Sequence, residues 1–154
     1  MKIIILENIR SAYNVGAIFR TADASGVTKI YLVGYTPTPI DRFGRVQPEI
    51  KKTSLGASEY IEWEHTDNVK SLIQELKKSE VTILAIEINK HSISLMSHEP
   101  VEKSAYILGN EVEGVSEEAQ KLADKILHVP MMGKKESLNV SVTAGVVMYH
   151  DFYK

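Results

Sequence analysis

Short apolar segments alternate with amphipathic segments along most of this chain. Ile3 to Leu6 is an aliphatic run that predicts a buried strand, and Lys29 to Val33 predicts a second one. The stretch between them carries apolar residues at helical spacing, namely Val15, Ile18, Phe19 and Ala22. We therefore expect a helix there, with Asn14 as its N-cap, an end at about Ser25, and Gly26 just beyond that end.

The rest of the chain continues this alternation. Residues 35–48 contain three prolines and predict a long loop, and a second loop is expected before and through Pro100. Further strands are predicted at Tyr60 to His65, Val81 to Ile88, Ala105 to Leu108 and Lys125 to Val129. Further helices are predicted at Asn68 to Lys78, after Ser116 as N-cap, and at Asn139 to Tyr153. This order predicts an α/β fold with a mainly parallel sheet, formed by one domain over residues 1–154.

Composition changes this picture little. Apolar residues make up 44% of the chain and charged residues 25%, as in ordinary globular proteins. There is no cysteine, which excludes disulfides and thiolate metal sites, and we expect no bound metal. No apolar run reaches the roughly 18 residues that a membrane span needs. Glu7 and Arg10 end the apolar start too early for a signal peptide, so a cytoplasmic protein without membrane contact is expected.

Three segments carry candidate chemistry, and the first runs from Asn8 to Ala22 as NIRSAYNVGAIFRTA. It lies where a strand leads into a helix, and ligands of parallel α/β sheets bind at the carboxyl ends of strands. The helix N-terminus offers free N–H groups to a phosphate, and Arg20 adds a planar fork of donors. Taken alone, Arg20 is more typical of a surface arginine on an amphipathic helix.

The other two segments follow predicted strands directly. Residues 108–115 read LGNEVEGV, where Gly109 allows a ligand close to the backbone and Gly114 permits a tight turn. Residues 129–133 read VPMMG, and residues 137–142 read SLNVSV. In this third segment, Ser137 and Asn139 are good turn and cap residues. Each segment alone has an ordinary explanation, an acidic loop for the second and a helix N-cap for the third.

Together, the three segments resemble those of the SpoU/TrmH-type methyltransferases of the SPOUT superfamily. That family has an N-x-G-x-x-x-R-x-A block, a G-x-E-x-x-G block, and a block reading roughly I-P-M followed by S-L-N-V-S. All three occur here in the family's order and spacing, and the resemblance covers the whole chain. Val129 stands where isoleucine is commoner and Thr143 where alanine is commoner, which affects only local packing.

The resemblance implies a Rossmann-like SPOUT fold with helices on both faces of the sheet and a C-terminal trefoil knot. Periodicity does not predict a knot, and knots are rare among folds. The resemblance also implies a homodimer that transfers a methyl group from S-adenosylmethionine to a ribose 2′-hydroxyl of structured RNA, either tRNA or rRNA. The identity of the RNA and of the methylated nucleotide stays open.

Site residues follow from the resemblance by motif position. The cofactor-binding residues that it implies are Gly109, Val129, Met131 and Leu138, with Ala85, Ile86 and Glu87 closing the adenine side. The catalytic residues that it implies are Arg20, Asn14, Glu111, Ser137 and Asn139. A guanidinium is not an ordinary general base, so we expect Arg20 to grip a phosphate and polarise the hydroxyl. Asn14 would help to hold Arg20 or substrate, while Glu111 and Asn139 would form a polar scaffold.

RNA contact must come from local clusters of basic residues. The chain has 18 Lys and Arg against 20 Asp and Glu, a net charge of −2 that argues mildly against nucleic acid. The candidate RNA-binding residues are Arg10, Arg42, Arg45, Lys51 and Lys52, with Lys134 and Lys135 as a further pair. Tyr35 and Phe43 could stack on a base, or they could pack within the loop.

A second copy of the chain is the expected partner of the C-terminal helix. That segment is rich in apolar residues, namely Val140, Val142, Val146, Val147, Met148 and Tyr149. This is more apolar surface than one side of a helix usually buries, and twofold homodimers are the commonest assembly. The resemblance adds that Arg20 of one subunit meets the cofactor of the other.

Two other functions compete with methyl transfer as explanations of this sequence. The chain could be an RNA-binding or ribosome-assembly factor that keeps the fold without turnover, but the intact set of implied catalytic residues argues against this. A dinucleotide-dependent dehydrogenase is excluded because no G-x-G-x-x-G follows a strand.

Overall fold

The computed structural model describes residues 1–153, with side chains described up to Asp151. The strands are β1 Lys2–Glu7, β2 Lys29–Val33, β3 Glu62–Thr66, β4 Thr82–Ile86, β5 Ile93–Ser94, β6 Ser104–Leu108 and β7 Lys125–His128. The helices are α1 Ala12–Ser25, α2 Pro48–Ser54, α3 Val69–Lys78, α4 Glu117–Leu122 and α5 Val140–Tyr153, with single 3-10 turns at Ala57–Glu59 and Leu95–Ser97. Within residues 1–153, no helix is both long and apolar enough to cross a membrane.

The seven strands form one sheet in the order β3-β2-β1-β6-β4-β7-β5. Every pairing between these strands is parallel, so the prediction of an α/β fold with a mainly parallel sheet is confirmed. Two insertions depart from simple sequential order: β6 lies between β1 and β4, and β7 lies between β4 and β5. Because all strands are parallel, their carboxyl ends meet at one edge of the sheet, where ligands of such folds bind.

Helices cover both faces of the sheet because side chains alternate along each strand. Ile4 and Leu6 of β1 belong to the core beneath α1, α2 and α5. Ile3 and Ile5 of the same strand belong to the core beneath α3 and α4. The alternation therefore decides which side chains can reach a site on each face of the sheet.

Helix α1 begins earlier than predicted. Its N-cap is Ser11, not Asn14, and the Ser11 hydroxyl accepts a hydrogen bond from the Asn14 backbone N–H at 3.2 Å. Serine and asparagine are both good N-caps, so local propensity does not distinguish them. Gly26 ends the helix in the left-handed conformation with φ of 78°, as predicted.

Other differences from the predicted elements are confined to loops and strand ends. The sequence reasoning did not predict α2, in which Pro48 occupies the first turn, where its missing N–H costs nothing. The predicted loop before Pro100 contains β5 and a 3-10 turn. Strand β3 begins at Glu62 rather than Tyr60, because Tyr60 ends the preceding 3-10 turn.

A buried polar cluster attaches α5 to the sheet. The Asp151 carboxylate accepts a hydrogen bond of 2.5 Å from the Tyr106 hydroxyl and forms an ion pair with the Lys2 ammonium group. Burial, followed by the hydrogen bond to Asp151, raises the pKa of Tyr106 above its ordinary value of 10.0. The phenol therefore remains a hydrogen-bond donor at physiological pH.

We expect Asp151→Ala to lower the free energy of unfolding by about 3–5 kcal/mol, because it removes the carboxylate that partners a buried hydroxyl and a mostly buried ammonium group, which among the described residues then keeps only its hydrogen bond to the Val101 carbonyl. Urea denaturation measures this. Asp67→Ala is the matched control, since its side chain is 89% exposed, and it should change the stability by less than about 0.5 kcal/mol. Equal stabilities of the two variants would contradict a structural role for the cluster.

Candidate functional site

A cavity of about 630 Å³ lies at the carboxyl ends of β4, β6 and β7. Its walls come from the segments that follow these strands and from the start of α5. The second and third sequence segments therefore converge on one concave site. A volume of this size is ordinary for a small-molecule site.

The turn after β6 is built around Gly109. A Cβ atom at Gly109 would lie 2.2 Å from the Gly114 carbonyl carbon and the Val115 nitrogen. Any side chain at this position would therefore displace the backbone at the end of the turn. The Asn110 and Gly114 backbones hydrogen-bond to each other in both directions, at 3.1 and 2.9 Å. This closed turn places residues 109–114 along one wall of the cavity.

Glu111 connects this turn to the first sequence segment. Its carboxylate accepts hydrogen bonds from the Arg10 backbone N–H at 3.0 and 3.1 Å, and from the Ser11 backbone N–H at 3.2 Å. Charged acceptors make stronger hydrogen bonds than neutral ones. Glu111 thus holds the residues that lead into α1 beside the cavity.

The cavity wall is acidic. Three carboxylates contribute to it, those of Glu87, Glu111 and Glu113, and none of the described lining residues is Lys or Arg. Glu87 also fixes the wall itself, since it accepts hydrogen bonds of 2.9 Å from the backbone N–H groups of Val115 and Ile88. Across residues 1–153, no group of three or more His, Cys, Asp or Glu side chains is placed to hold a metal ion.

The start of α5 forms the opposite wall. The Asn139 side-chain oxygen accepts hydrogen bonds from the Ser141 backbone N–H at 2.8 Å and from the Ser141 hydroxyl at 2.6 Å. Asn139 therefore caps the helix, as the ordinary explanation of this segment supposed. Ser137 and Leu138 precede it and are exposed, Leu138 at 40%, so both are accessible to a ligand.

Most of the sequence-predicted site residues lie around this cavity. The predicted cofactor-binding residues that line it are Ile86, Glu87, Gly109, Val129, Met131 and Leu138. The predicted catalytic residues that line it are Glu111, Ser137 and Asn139. Ala85 does not line it, because its fully buried side chain points to the opposite face of the sheet, into the core beneath α3 and α4.

Asn14 and Arg20 also lie outside the lining of this cavity. Arg20 is exposed on the outward face of α1, about 12 Å along the helix axis from Ala12. Helix α5 packs beside α1, since Thr21 Cγ2 lies 3.7 Å from where a Cβ of Gly145 would be. The outward faces of the two helices therefore form one surface, which carries Arg20 together with Val142 and Tyr149, exposed at 51% and 40%.

The predicted RNA-binding residues do not lie in the first cavity. Arg42 and Arg45 line a second cavity of about 920 Å³ at the carboxyl ends of β2 and β3. Lys51 and Lys52 are exposed on α2, and Arg10 is exposed before α1. Lys134 and Lys135 are exposed between β7 and α5.

Asp41 organises the loop that carries these two arginines. Its carboxylate accepts hydrogen bonds from the backbone N–H groups of Phe43 and Arg45 and from Arg45 Nε, at 2.8, 2.9 and 2.8 Å. The Arg45 backbone N–H is the main cause that lowers the pKa of Asp41 below its ordinary value of 3.8. The stabilising contribution of this depressed carboxyl is present above 3.8 and is lost as pH falls through the folded pKa.

Asn110 has a structural role that the motif alone does not predict. Its side chain is 7% exposed and uses its full hydrogen-bonding capacity. The amide nitrogen donates to the Asn8 carbonyl at 2.9 Å and to the Tyr35 hydroxyl at 2.8 Å. The amide oxygen accepts from the backbone N–H groups of Val112 and Glu113, both at 2.8 Å. An asparagine that follows a buried strand after a single glycine was the available signal.

Comparisons with known proteins agree with this geometry. The chain is 31% identical over 147 residues to the tRNA (guanosine(18)-2'-O)-methyltransferase of Aquifex aeolicus, covering 96% of this chain and 66% of that protein. It is 30% identical over 146 residues to the 23S rRNA (guanosine-2'-O-)-methyltransferase RlmB of Neisseria meningitidis, covering 95% of this chain and 56% of that protein. The chain thus spans between about half and two thirds of these relatives.

The fold agrees as well. The crystal structure of the A. aeolicus TrmH/SpoU tRNA modifying enzyme superimposes with a TM-score of 0.85 at 29% identity, over 97% of this chain and 73% of that chain. Residues 1–149 match the SpoU rRNA Methylase family. The chain therefore belongs to the SpoU methylase family.

Proposed function

We propose that this protein transfers a methyl group from S-adenosylmethionine to a ribose 2′-hydroxyl of structured RNA, a tRNA or an rRNA, in the cytoplasm. The observation that carries the proposal is the acidic cavity where the second and third segments meet and Glu111 holds the first segment beside them. Relatives at 30% identity or more are named as 2′-O-methyltransferases of tRNA or 23S rRNA.

The cavity fits this cofactor in charge and in the polarity of its lining. S-adenosylmethionine carries a sulfonium and an ammonium group, and the three carboxylates in the wall favour a cation. The apolar side chains of Ile86, Leu108 and Leu138 line the same cavity and suit an adenine ring. A nucleotide diphosphate would fit less well, since its negative charge would meet these carboxylates.

Proposed roles follow from where the residues lie. When bound, S-adenosylmethionine supplies an electrophilic methyl group. Ile86, Glu87, Gly109, Val129, Met131 and Leu138 would hold the cofactor, Ala85 being left out because it faces the other core. Glu111 and Asn139 would set the geometry of the two walls, and Ser137 would contact substrate or cofactor at the mouth. Arg20, with Asn14, would grip a phosphate and polarise the 2′-hydroxyl.

We further propose a homodimer formed through the outward faces of α1 and α5. Val142 and Tyr149 are exposed apolar residues on α5, with Val146 half-buried between them, and Ala17 lies beside Arg20 on α1. Exposed apolar stripes of this kind are typical of subunit interfaces. Since Arg20 lies on this surface and not at its own cavity, a second copy would bring it to the partner's cofactor.

A trefoil knot at the C-terminal end is also part of the proposal. The chain between β4 and β6 includes β5, and β7 lies between β4 and β5 in the sheet. Helix α5 then packs against both β6 and the 3-10 turn at Leu95–Ser97. The C-terminal segment thus enters the sheet as β7 between β4 and β5 and continues as α5 past the 3-10 turn. This course supports threading of the C-terminal segment through the loop that connects β4 to β6.

The test of this function is transfer of labelled methyl groups. Purified protein and tritiated S-adenosylmethionine are incubated with total RNA from a strain that lacks the gene. We expect label on a ribose 2′-oxygen of a discrete tRNA or rRNA position, identified by nuclease mapping. Label on a base nitrogen or carbon would refute ribose methylation.

Calorimetry with S-adenosylmethionine alone is the companion measurement. Binding should release or absorb heat and should raise the melting temperature by mass action. Folded protein that shows neither effect would refute the cofactor assignment. It would also favour the alternative of a non-catalytic RNA-binding or assembly factor.

A further inference from the structure

An exposed tyrosine stands between the two cavities and is held in place at both its backbone and its hydroxyl. Tyr35 is 60% exposed and lines the second cavity. Its hydroxyl accepts a hydrogen bond from Asn110, a residue of the first cavity's wall. The two cavities therefore adjoin each other at this hydrogen bond.

The backbone around Tyr35 is fixed as well. The Asn8 side-chain oxygen accepts a hydrogen bond from the Tyr35 backbone N–H at 3.2 Å. This contact requires Gly34, which has φ of 67° and at which a Cβ would lie 1.9 Å from that same oxygen. His65 Nε2 lies 2.8 Å from the Gly34 carbonyl oxygen. An exposed ring with this many restraints presents a fixed flat surface.

The second cavity combines aromatic rings with basic groups. Trp63 and His65 of β3 line it together with Tyr35, and Arg42 and Arg45 lie on its rim. The guanidinium carbons of both arginines lie about 5 Å from the centre of the exposed Phe43 ring, at 4.9 and 5.0 Å. Aromatic faces beside cations are the chemistry that binds unpaired nucleotides, since rings stack on bases and guanidinium groups bind phosphates.

We propose that the second cavity binds an unpaired nucleotide of the RNA substrate that neighbours the methylated ribose, with its base stacked on Tyr35 and its phosphate on Arg42. Asn110 is the positioning residue, because it fixes the Tyr35 hydroxyl while its own backbone forms part of the first cavity. This inference rests on the proposed function for the identity of the ligand as RNA. The charge of the second cavity agrees with an RNA ligand: Arg45 is paired with Asp41, and Arg42 adds a further positive charge, whereas the first cavity is acidic.

Trp63 provides a readout that does not depend on turnover. It is the single tryptophan of the chain, and it lies in the second cavity and not in the first. In the experiment, the purified protein is titrated with a single-stranded decaribonucleotide of mixed sequence, and the tryptophan fluorescence is followed. We expect saturable quenching of Trp63, and inorganic phosphate at equal charge should quench it far less.

Variants of Tyr35 separate stacking from positioning. Tyr35→Ala should weaken decaribonucleotide binding by roughly 5- to 150-fold, which is the range for loss of one base stack. Tyr35→Phe keeps the ring and loses the hydrogen bond to Asn110, so its loss of decaribonucleotide affinity should be smaller, about 2- to 10-fold. In methyl transfer by this variant, kcat should fall by a larger factor than KM rises. Tyr60→Ala is the control, a tyrosine that is even more exposed, at 75%, and lies outside both cavities, and it should bind like the wild type.

The outcomes distinguish this inference from the proposed function. Quenching that depends on Tyr35, in a protein that binds no S-adenosylmethionine, would support the subsite and refute the methyltransferase. Methyl transfer that is unchanged in Tyr35→Ala, or equal quenching by phosphate and decaribonucleotide, would overturn the subsite and leave the methyltransferase standing. An equal loss of decaribonucleotide affinity in Tyr35→Ala and Tyr60→Ala would likewise overturn the subsite.

Discussion

Replacement of Arg20 by alanine is expected to slow methyl transfer by roughly 10²- to 10³-fold, the range seen when one preorganised donor to a developing charge is removed. The affinity for S-adenosylmethionine should change little, since the residues proposed to hold the cofactor do not include Arg20, whose proposed contacts are the RNA phosphate and the 2′-hydroxyl. Stability should also be kept, because the side chain is exposed. Single-turnover transfer with the RNA identified by label mapping measures the rate, and calorimetry measures the affinity.

The physical reason lies in the geometry of guanidinium. A planar fork of donors can bind a phosphate with two hydrogen bonds and direct a third at a ribose oxygen. Arg20→Lys keeps the charge but not the fork, so it should recover only part of the lost rate. A variant with full activity in the lysine form would show that charge alone is needed.

The control for Arg20 is an exposed cation on the other side of the sheet. Lys70 lies on α3, which covers the face opposite to α1 and α5. Lys70→Ala should leave transfer and cofactor affinity unchanged. If Arg20→Ala and Lys70→Ala slow transfer equally, the effect comes from weaker electrostatic attraction of RNA and not from catalysis.

The alternation of strands and helices was predictable because burial on a parallel sheet imposes a strong pattern. Strands such as β1 and β6 are covered on both faces and therefore read as continuous apolar runs. The amphipathic α3, with Val69, Leu72, Ile73 and Leu76 buried, was equally clear. The order of strands was not predictable, because the insertion of β6 and β7 depends on contacts between residues far apart in the chain.

Helix starts and strand faces required the tertiary structure. Ser11 caps α1 in place of Asn14, and the carboxylate of Glu111, a hundred residues away, holds the N–H groups at that point. Ala85, Ile86 and Glu87 were all predicted to close the adenine side, but a one-residue step along β4 moves a side chain to the other face, so Ile86 lines the cavity and Ala85 does not. A motif gives positions along the chain, and alternation decides which of them face the ligand.

The site itself was predictable only through the combination of motifs. The three segments are far apart in sequence, and Glu111, Ser137 and Asn139 meet only because β6 and β7 end at the same edge of the sheet. The Asn110 hydrogen bond to Tyr35 spans 75 positions and has no local signature. Arg20, by contrast, is exposed on α1, as is ordinary for an arginine on an amphipathic helix, and its role at the cofactor of a second subunit stays a prediction.

Mixing two inactive variants should restore activity if each site is composite. Arg20→Ala keeps the cavity and loses the arginine, whereas Leu138→Arg places a bulky cation in the acidic cavity and should block the cofactor. Because Leu138 is 40% exposed, its replacement should not prevent folding. In a heterodimer, the intact cavity of the first chain would meet the intact Arg20 of the second.

The expected recovery follows from counting subunits. Random exchange makes about half of the dimers heterodimers, and each of these has one working site of two, so activity should reach about a quarter of the wild-type value. A site contained within one chain predicts no recovery at all. Subunit exchange is verified by native mass spectrometry before the assay, so that absence of recovery has one meaning.

A chain that carries both substitutions sharpens the test. Mixed in equal amounts with wild-type protein, it should leave about a quarter of the sites active under the composite arrangement, because both sites of every heterodimer then lack either the cavity or the arginine. A site within one chain would leave about half of them active, since every wild-type chain would still turn over. The two arrangements thus differ in opposite directions in the two mixtures: the composite site gives more activity in the first and less in the second. A stable monomer in light scattering would refute the composite site. No activity in the mixture of the two single variants, together with half of the wild-type activity in the mixture with wild-type protein, would refute it as well.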